Sequence, residues 1–186
     1  MTEPEFVAAV LANPVNRQIL ERLPALGLPD AWLVSGALFQ TVWNLRSGHE
    51  PTHGIRDYDL FYFDPDTSWE AEDRAIKRAQ AHYDDLGVEI ELRNQARVHL
   101  WYAEKFGVPY PPLMRATDGI DRFLSHNAQV GIRPEGAGYA VYAPHGFGDI
   151  EAMRIRPNPS ANFSAERFGE KAARWKSLWP EITILS

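Results

Sequence analysis

Two aspartates one residue apart, inside an otherwise apolar run, constrain the fold of this chain more than any other feature. Residues 57–63 have the sequence DYDLFYF, which is typical of a β-strand, and positions i and i+2 of a strand project from the same face. Asp57 and Asp59 therefore repel each other on that face. Carboxylate oxygens are the ligands that Mg²⁺ prefers, so the pair predicts half of a metal site. Two acids that simply face water at a strand end are the alternative.

The apolar residues on either side of this strand alternate between helical and extended spacing. This order predicts an α+β fold with an α/β-like core, in which helices flank a small mixed sheet. We expect one domain over residues 1–186, with a core over about 25–110 and a C-terminal extension, carrying a hairpin and a helix, over about 111–186. The predicted helices are residues 5–23 with a break at Pro14, 38–45, 68–86 after a capping box of Thr67 and Glu70, 97–106, 117–124 and 163–179, and the predicted strands are 31–34, 57–63, 88–92, 129–133 and 139–143.

The composition excludes several classes of site and partner. The formal net charge of the chain is −6, which argues against a broad surface for long nucleic acids. There is no cysteine, and hence no disulfide, thiolate metal site or cysteine nucleophile. The first residues lack a basic region, and no apolar stretch is long enough to span a bilayer. We therefore expect a cytoplasmic protein without a membrane partner.

A second element of a possible site precedes the aspartate pair. Ser35 and Gly36 follow the strand at 31–34 and open a helix, where glycine allows close approach and free N–H groups bind phosphate. A later strand adds another acid, Glu89 or Glu91, which share a face and which spacing cannot separate. Such a set would hold Mg²⁺ and a triphosphate, as phosphoryl or nucleotidyl transfer requires.

Several further stretches share their pattern with a known group of proteins. They are residues 32–37 (WLVSGA), 41–44 (TVWN), 57–64 (DYDLFYFD), 93–102 (RNQARVHLWY), 142–146 (YAPHG), 156–159 (RPNP) and 179–180 (WP) with Trp175. On these residues the chain resembles the DNA polymerase β-type nucleotidyltransferase superfamily and, within it, a bacterial nucleotidyltransferase-like family. The resemblance spans about residues 30–180 and implies the polymerase β-type nucleotidyltransferase fold.

The resemblance also assigns roles to the acids. It implies that Asp57, Asp59 and Glu91 are catalytic and bind Mg²⁺ or Mn²⁺. Glu91 lies three residues before Asn94 and is the first choice for the third acid, with Glu89 as the second choice.

The same resemblance places Ser35, Gly36 and Ala37 at the phosphate-binding turn. The superfamily has Gly-Gly or Gly-Ser at this turn, whereas this chain has Gly36 followed by Ala37. Because alanine lacks a hydroxyl, phosphate contacts would come from backbone N–H groups or from Ser35.

The assignments of the nearby cations and aromatics remain open at this point. The planar fork of Arg97 suits a phosphate or a carboxylate, and a structural ion pair with Glu91 or Asp57 is the equal alternative. His99 is expected to be a hydrogen-bonded core histidine. Trp101 and Tyr102 are expected in the core, although an aromatic ring there could stack on a nucleobase. Four cations of the C-terminal part could carry charge towards the site, but a solvated surface position is favoured for each of them: Arg154, Arg156, Lys171 and Arg174.

Residues 49–53 match the letters of the zinc-protease motif HExxH, but they predict a loop. That motif works only on a helix, where two histidines four residues apart share a face. Pro51 between His49 and His53 would cost a helix about 3 kcal/mol, and glycines flank the segment.

We therefore expect a nucleotidyltransferase that moves a nucleoside monophosphate from an NTP to an acceptor with the help of Mg²⁺. A noncatalytic nucleotide- or ligand-binding module on the same scaffold is the main alternative, because Ala37 departs from the superfamily pattern. A metal-dependent phosphohydrolase is a further alternative. The acceptor stays open among a small hydroxylated metabolite, an antibiotic, a protein side chain and an RNA end, and the acidic balance favours a small-molecule or protein acceptor.

Overall fold

A five-stranded mixed sheet with helices around it forms the centre of the computed structural model, which describes residues 1–186. The helices are α1 (Glu3–Ala12), α2 (Pro14–Arg22), α3 (Gly36–Arg46), α4 (Trp69–Tyr83), α5 (Tyr102–Phe106), α6 (Ala116–Ile120), α7 (Gly148–Glu151) and α8 (Ala165–Leu178). The strands are β1 (Trp32–Val34), β2 (Asp57–Tyr62), β3 (Glu89–Asn94), β4 (Gly131–Glu135), β5 (Gly138–Tyr142), β6 (Arg154–Ile155) and β7 (Thr183–Ile184).

The strand order of the large sheet is β3-β2-β1-β4-β5. Strand β1 runs antiparallel to both β2 and β4, whereas β2 and β3 run parallel and are joined through α4. The predicted hairpin, β4 and β5, joins this sheet beside β1. The predicted α+β fold class, with a small mixed sheet flanked by helices, is confirmed.

The two faces of the sheet have different environments, because side chains alternate along each strand. On one face, Leu33, Leu60 and Leu92 are buried in the main hydrophobic core beneath the helices. On the other face, Trp32 and Val34 pack with residues of α6 in a second, smaller cluster. The rest of that second face, over β2 and β3, carries Phe61 together with polar side chains that line a cleft.

Local capping explains the start of several helices and corrects one prediction. Helix α1 begins with a capping box between Thr2 and Glu5, and Asn13 separates α1 from α2 by accepting hydrogen bonds from the first amides of α2. Helix α4 is capped by Ser68 instead of the predicted Thr67–Glu70 box, because the Ser68 hydroxyl accepts from the Ala71 amide at 3.3 Å.

The region after β3 is less regular than predicted. The predicted helix at 97–106 is a 3₁₀ turn (Val98–Leu100) followed by the short α5, since Trp101 interrupts helical geometry with φ −129°. The predicted helix at 117–124 is limited to α6. Strand β4 runs beyond its predicted end through Pro134, which lies past the residues that β1 pairs with, so its missing N–H costs no ladder bond there.

Residues 49–53 form a loop, as expected, and not a helix, with a turn over residues 51–54. The Asn44 side chain donates to the carbonyls of Pro51 and His53, at 3.0 and 2.8 Å. His99 differs from its prediction, because its buried Nδ1 has no hydrogen-bond partner. None of the helices combines the length and the apolar character that a bilayer crossing requires.

Candidate functional site

A cleft of about 380 Å³ opens on the second face of the sheet. Its floor is formed by β2, β3 and the start of α3, one wall by residues 95–125, and the other wall by α8. The cleft thus combines side chains from the sheet with side chains that follow it by more than a hundred positions in the chain.

The acids of β2 and β3 meet in this cleft. Strands β2 and β3 are in parallel register with Asp59 beside Glu91 and Asp57 beside Glu89. Asp57, Asp59 and Glu91 line the cleft, whereas Glu89 is exposed at the beginning of β3 and lies outside it. The structure therefore distinguishes the two glutamates that spacing could not separate.

The electrostatics of these acids show how closely they are grouped. Burial, and then the charges of Asp57 and Glu91, raise the pKa of Asp59 to about 7, while Lys171 and Arg93 act in the opposite direction. The negative charges thus repel one another at the cleft floor, which a cation would relieve.

The donor set fits a hard divalent ion that a ligand also coordinates. No three His, Cys, Asp or Glu side chains are grouped so as to hold a metal ion by themselves. Mg²⁺ is usually bound by one or two carboxylates together with substrate phosphates instead of an all-protein cage. The open arrangement of Asp57, Asp59 and Glu91 has that character.

The turn between β1 and α3 lines the same cleft with Ser35 and Gly36. Ser35 has a strained left-handed backbone with φ 56°, held by its amide, which donates to the Val130 carbonyl at 2.8 Å. The Ser35 side chain makes no capping hydrogen bond. A Cβ atom added to Gly36 would lie only 2.8 Å from Gln40 Nε2, so a larger residue at this point would displace the end of the Gln40 side chain.

Ala37 does not face the cleft. Its side chain is buried in the main core, and its carbonyl accepts from Asn16 Nδ2 at 2.9 Å and from the Thr41 hydroxyl at 2.7 Å. Alanine at this position, where the superfamily has glycine or serine, therefore removes no polar side chain from the cleft lining. Ser35 and Gly36, by contrast, both line it.

Arg97 is not brought to the cleft, which corrects its phosphate-binding assignment. Its guanidinium pairs with the buried Glu72, donates to the Thr67 carbonyl at 2.8 Å and lies 5.5 Å from the centre of the Trp69 ring. The ion-pair alternative gives the right kind of interaction, but the partner is Glu72 and not Glu91 or Asp57. The cause is the turn after β3, which directs Arg97 towards α4.

Lys171 and Arg174 lie beside the acids, contrary to the expectation of a solvated surface. Both line the cleft from α8. Burial and then Arg56 lower the pKa of Arg174, whereas Asp57 raises it, and Arg174 Nη2 donates to the Gly54 carbonyl at 3.3 Å. Their i,i+3 spacing on a helix was the available sequence signal.

The other two cations from the C-terminal part lie elsewhere. Arg156 pairs with Asp149 at 2.8 Å, and Arg154 is exposed on β6. Neither residue lines the cleft.

Aromatic rings and further cations line the part of the cleft formed by residues 101–125. Tyr102 is buried as expected, but it and Trp101 also contribute to the cleft lining. Arg167 of α8 lies 3.8 Å from the centre of the Phe106 ring and donates to the Tyr102 hydroxyl at 2.7 Å.

Several buried polar atoms of the cleft lining have no protein partner. They are Gln40 Oε1, Trp175 Nε1, Arg122 Nε and Arg174 Nε. A buried polar group without a partner costs about 1–3 kcal/mol, so such groups in a cleft are suited to binding a polar ligand.

Both the sequence and the fold of this chain match known proteins. Residues 21–184 match the protein family described as Nucleotidyltransferase, which confirms the resemblance seen in the sequence. A protein solved by NMR, whose structure is described as revealing a CCA-adding enzyme head domain, is 25% identical with a TM-score of 0.81. That match covers 100% of this chain and 96% of the other. No curated protein matches the sequence.

Proposed function

This chain belongs to the nucleotidyltransferase family, and we propose that it transfers a nucleoside monophosphate from an NTP to a hydroxyl-bearing acceptor in the cleft. The observation that carries the proposal is the convergence of Asp57, Asp59 and Glu91 on one cleft with the turn at Ser35 and Gly36 that opens α3. An acid set beside a helix N-terminus is the arrangement that a metal-bound triphosphate needs.

The carboxylates have the role of metal ligands in this proposal. Asp57, Asp59 and Glu91 would hold Mg²⁺ or Mn²⁺, which supplies neutralisation of the charge that develops on the phosphates. Burial, and then the repulsion from Asp57 and Glu91, raise the pKa of Asp59, and this supports the role because it disfavours three ionised acids without a cation.

Backbone amides and two cations would bind the triphosphate. The amides at the start of α3 carry the positive end of the helix dipole, and the free Ser35 hydroxyl lies beside them. Lys171 and Arg174 supply positive charge from the wall formed by α8.

The transfer step balances without any further reactant. The acceptor hydroxyl oxygen forms a bond to the α-phosphorus of the NTP, the bond from that phosphorus to the β-bridging oxygen breaks, and pyrophosphate leaves. The hydroxyl proton passes to the Glu91 carboxylate and then to water. The Glu91 side chain is partly exposed, so it can exchange a proton with solvent. Arg93 Nη2 lies 3.9 Å from this carboxylate.

The acceptor is proposed to be a small molecule or a protein side chain, since the net charge of −6 disfavours long nucleic acid.

The cleft takes lining residues from both the 25–110 core and the 111–186 extension. We therefore propose that these two parts work as one domain.

Isothermal titration of an NTP with Mg²⁺, followed by assay of pyrophosphate release with a panel of hydroxylated compounds, tests the proposal. Asp59→Asn should abolish metal-dependent NTP binding and pyrophosphate release, whereas Glu89→Gln, a matched change on the neighbouring strand outside the cleft, should retain both. Binding without any product by mass spectrometry would favour the noncatalytic module, and release of inorganic phosphate would favour the phosphohydrolase. Full activity of Asp59→Asn would contradict the metal assignment.

A further inference from the structure

The part of the cleft formed by residues 101–125 and the start of α8 differs chemically from the carboxylate end. We call it the aromatic end. Ring centres there lie close together, 4.6 Å between Tyr102 and Phe106 and 4.4 Å between Tyr102 and Tyr110. Its rings and cations are Trp101, Tyr102, Phe106, Tyr110, Lys105, Arg122 and Arg167.

The cations of the aromatic end have no carboxylate partners. None of the ion pairs of the structure includes Lys105, Arg122 or Arg167. Lys105 and Arg167 lie over the Phe106 ring, and the Nε atom of Arg122 is buried without any partner. In a chain with an overall negative charge, three neighbouring cations without acids mark a place where an anion is stabilised.

The spacing along α8 separates this anion position from the triphosphate position. Arg167, Lys171 and Arg174 all line the cleft from this helix. At a rise of about 1.5 Å per residue, Arg167 lies roughly 6 Å before Lys171 along the helix axis, and Arg174 roughly 4.5 Å after it. Lys171 and Arg174 act on Asp59 and Asp57, whereas Arg167 lies over Phe106.

We propose that the aromatic end is the acceptor subsite and that the acceptor is a planar aromatic molecule carrying an anionic group, of which a nucleoside monophosphate is the representative probe. The inference rests on the proposed nucleotidyl transfer and assigns its second substrate. The rings supply stacking surface for a base, and the three cations bind the phosphate.

Two buried side chains of the cleft lining, one on α3 and one on α8, fit a ligand with hydroxyl groups. Gln40 is 4% exposed with an unpaired acceptor, Oε1, and Trp175 is 5% exposed with an unpaired donor, Nε1. Ribose hydroxyls both donate and accept hydrogen bonds and so complement these atoms. A hydroxyl of the acceptor is also the group that the transfer consumes.

The competing assignment gives the aromatic end to the base of the NTP itself. A base needs stacking surface, but it carries no charge that would require Lys105, Arg122 and Arg167. The two assignments differ in a measurable way: an independent acceptor subsite binds a monophosphate while the NTP position is filled, whereas a base subsite does not.

Calorimetry with AMP on the full chain, saturated with Mg²⁺ and a nonhydrolysable ATP analogue, tests whether the aromatic end is an independent acceptor subsite. AMP should bind in that state, and both adenosine and ribose 5-phosphate should bind at least tenfold more weakly, because each lacks one half of the recognised chemistry. Competition between AMP and the analogue, or the absence of AMP binding, would overturn the inference. Failure of the analogue itself to bind with Mg²⁺ would instead count against the proposed function.

Variants locate the bound AMP. Arg167→Gln and Phe106→Leu should each weaken AMP at least tenfold and leave analogue binding within about twofold, whereas Lys171→Gln should weaken the analogue. Arg17→Gln removes an exposed arginine of α2 that has no ion pair and should change neither affinity. Equal weakening of AMP and the analogue by both aromatic-end variants, with folding verified by circular dichroism, would refute a separate acceptor subsite.

Discussion

Asp59 and Glu91 occupy paired positions on the parallel strands β2 and β3, and both side chains enter the same cleft. The pairing brings together two acids that are separated in the chain by the whole of α4. Their proximity has consequences for stability as well as for ligand binding.

Asp59→Asn should stabilise the metal-free protein above pH 7. The pKa of Asp59 is raised from 3.8 to about 7. At pH values between these two pKa values, the folded state therefore binds more protons than the unfolded state. The free energy of unfolding should therefore fall as the pH rises from about 4 to 7. We expect the variant to gain roughly 1–2 kcal/mol at pH 8, less than the full shift implies because the cleft admits solvent. Urea denaturation of both proteins at pH 5 and pH 8 measures this, and an equal effect at the two pH values would contradict it.

Mg²⁺ with a nonhydrolysable NTP should raise the melting temperature of the wild-type protein. Saturation at a hundred times the dissociation constant corresponds to about 2.7 kcal/mol. Glu91→Gln should lose this shift and Glu89→Gln should keep it, because only Glu91 lines the cleft. Thermal denaturation by fluorescence gives the comparison. If the two variants behaved alike, Glu91 would not be distinguished as a ligand.

Lys171→Ala should weaken binding of the NTP with Mg²⁺ about tenfold or more, since a hydrogen bond to a charged group contributes about 1.5–3 kcal/mol. Arg154→Ala is the matched control, because Arg154 is exposed and lies outside the cleft. Titration at two salt concentrations should show a smaller salt dependence for Lys171→Ala than for the control. The same affinity in both variants would exclude Lys171 from the phosphate position.

Gly36→Ala should weaken NTP binding by displacing Gln40, whose Nε2 atom would be 2.8 Å from the new Cβ. Gly138→Ala, in the hairpin, has no atom within 4 Å of the added Cβ and should leave binding unchanged. Calorimetry of the two variants compares them directly. A fully active Gly36→Ala would show that the turn tolerates a side chain.

Arg97→Gln should destabilise the fold by roughly 3 kcal/mol, because it leaves Glu72 buried and without its ion partner. The affinity of the remaining folded protein for the NTP should not change. Changing both residues in Glu72→Gln/Arg97→Gln should recover part of the lost stability. Urea denaturation and calorimetry separate these outcomes from a role of Arg97 in phosphate binding.

The sequence predicted the strands and the common face of Asp57 and Asp59 because both follow from alternation in a single segment. The choice between Glu89 and Glu91 depends on register against β2 and on where the cleft begins, which no local pattern contains. The sequence favours solvent over the site for Lys171 without deciding between them, because a helix cation has the same local sequence whether it faces water or a cleft. Arg97 was misassigned because the turn after β3 decides its direction.

The hydrogen bond from Arg174 to the Gly54 carbonyl spans 120 positions of the chain. A nascent chain therefore exposes the aspartates of β2 on the ribosome long before α8 is synthesised. Closing so long a loop is entropically costly, and contacts of this kind slow folding. Ligand competence should thus arise late in biogenesis, after the sheet has already formed.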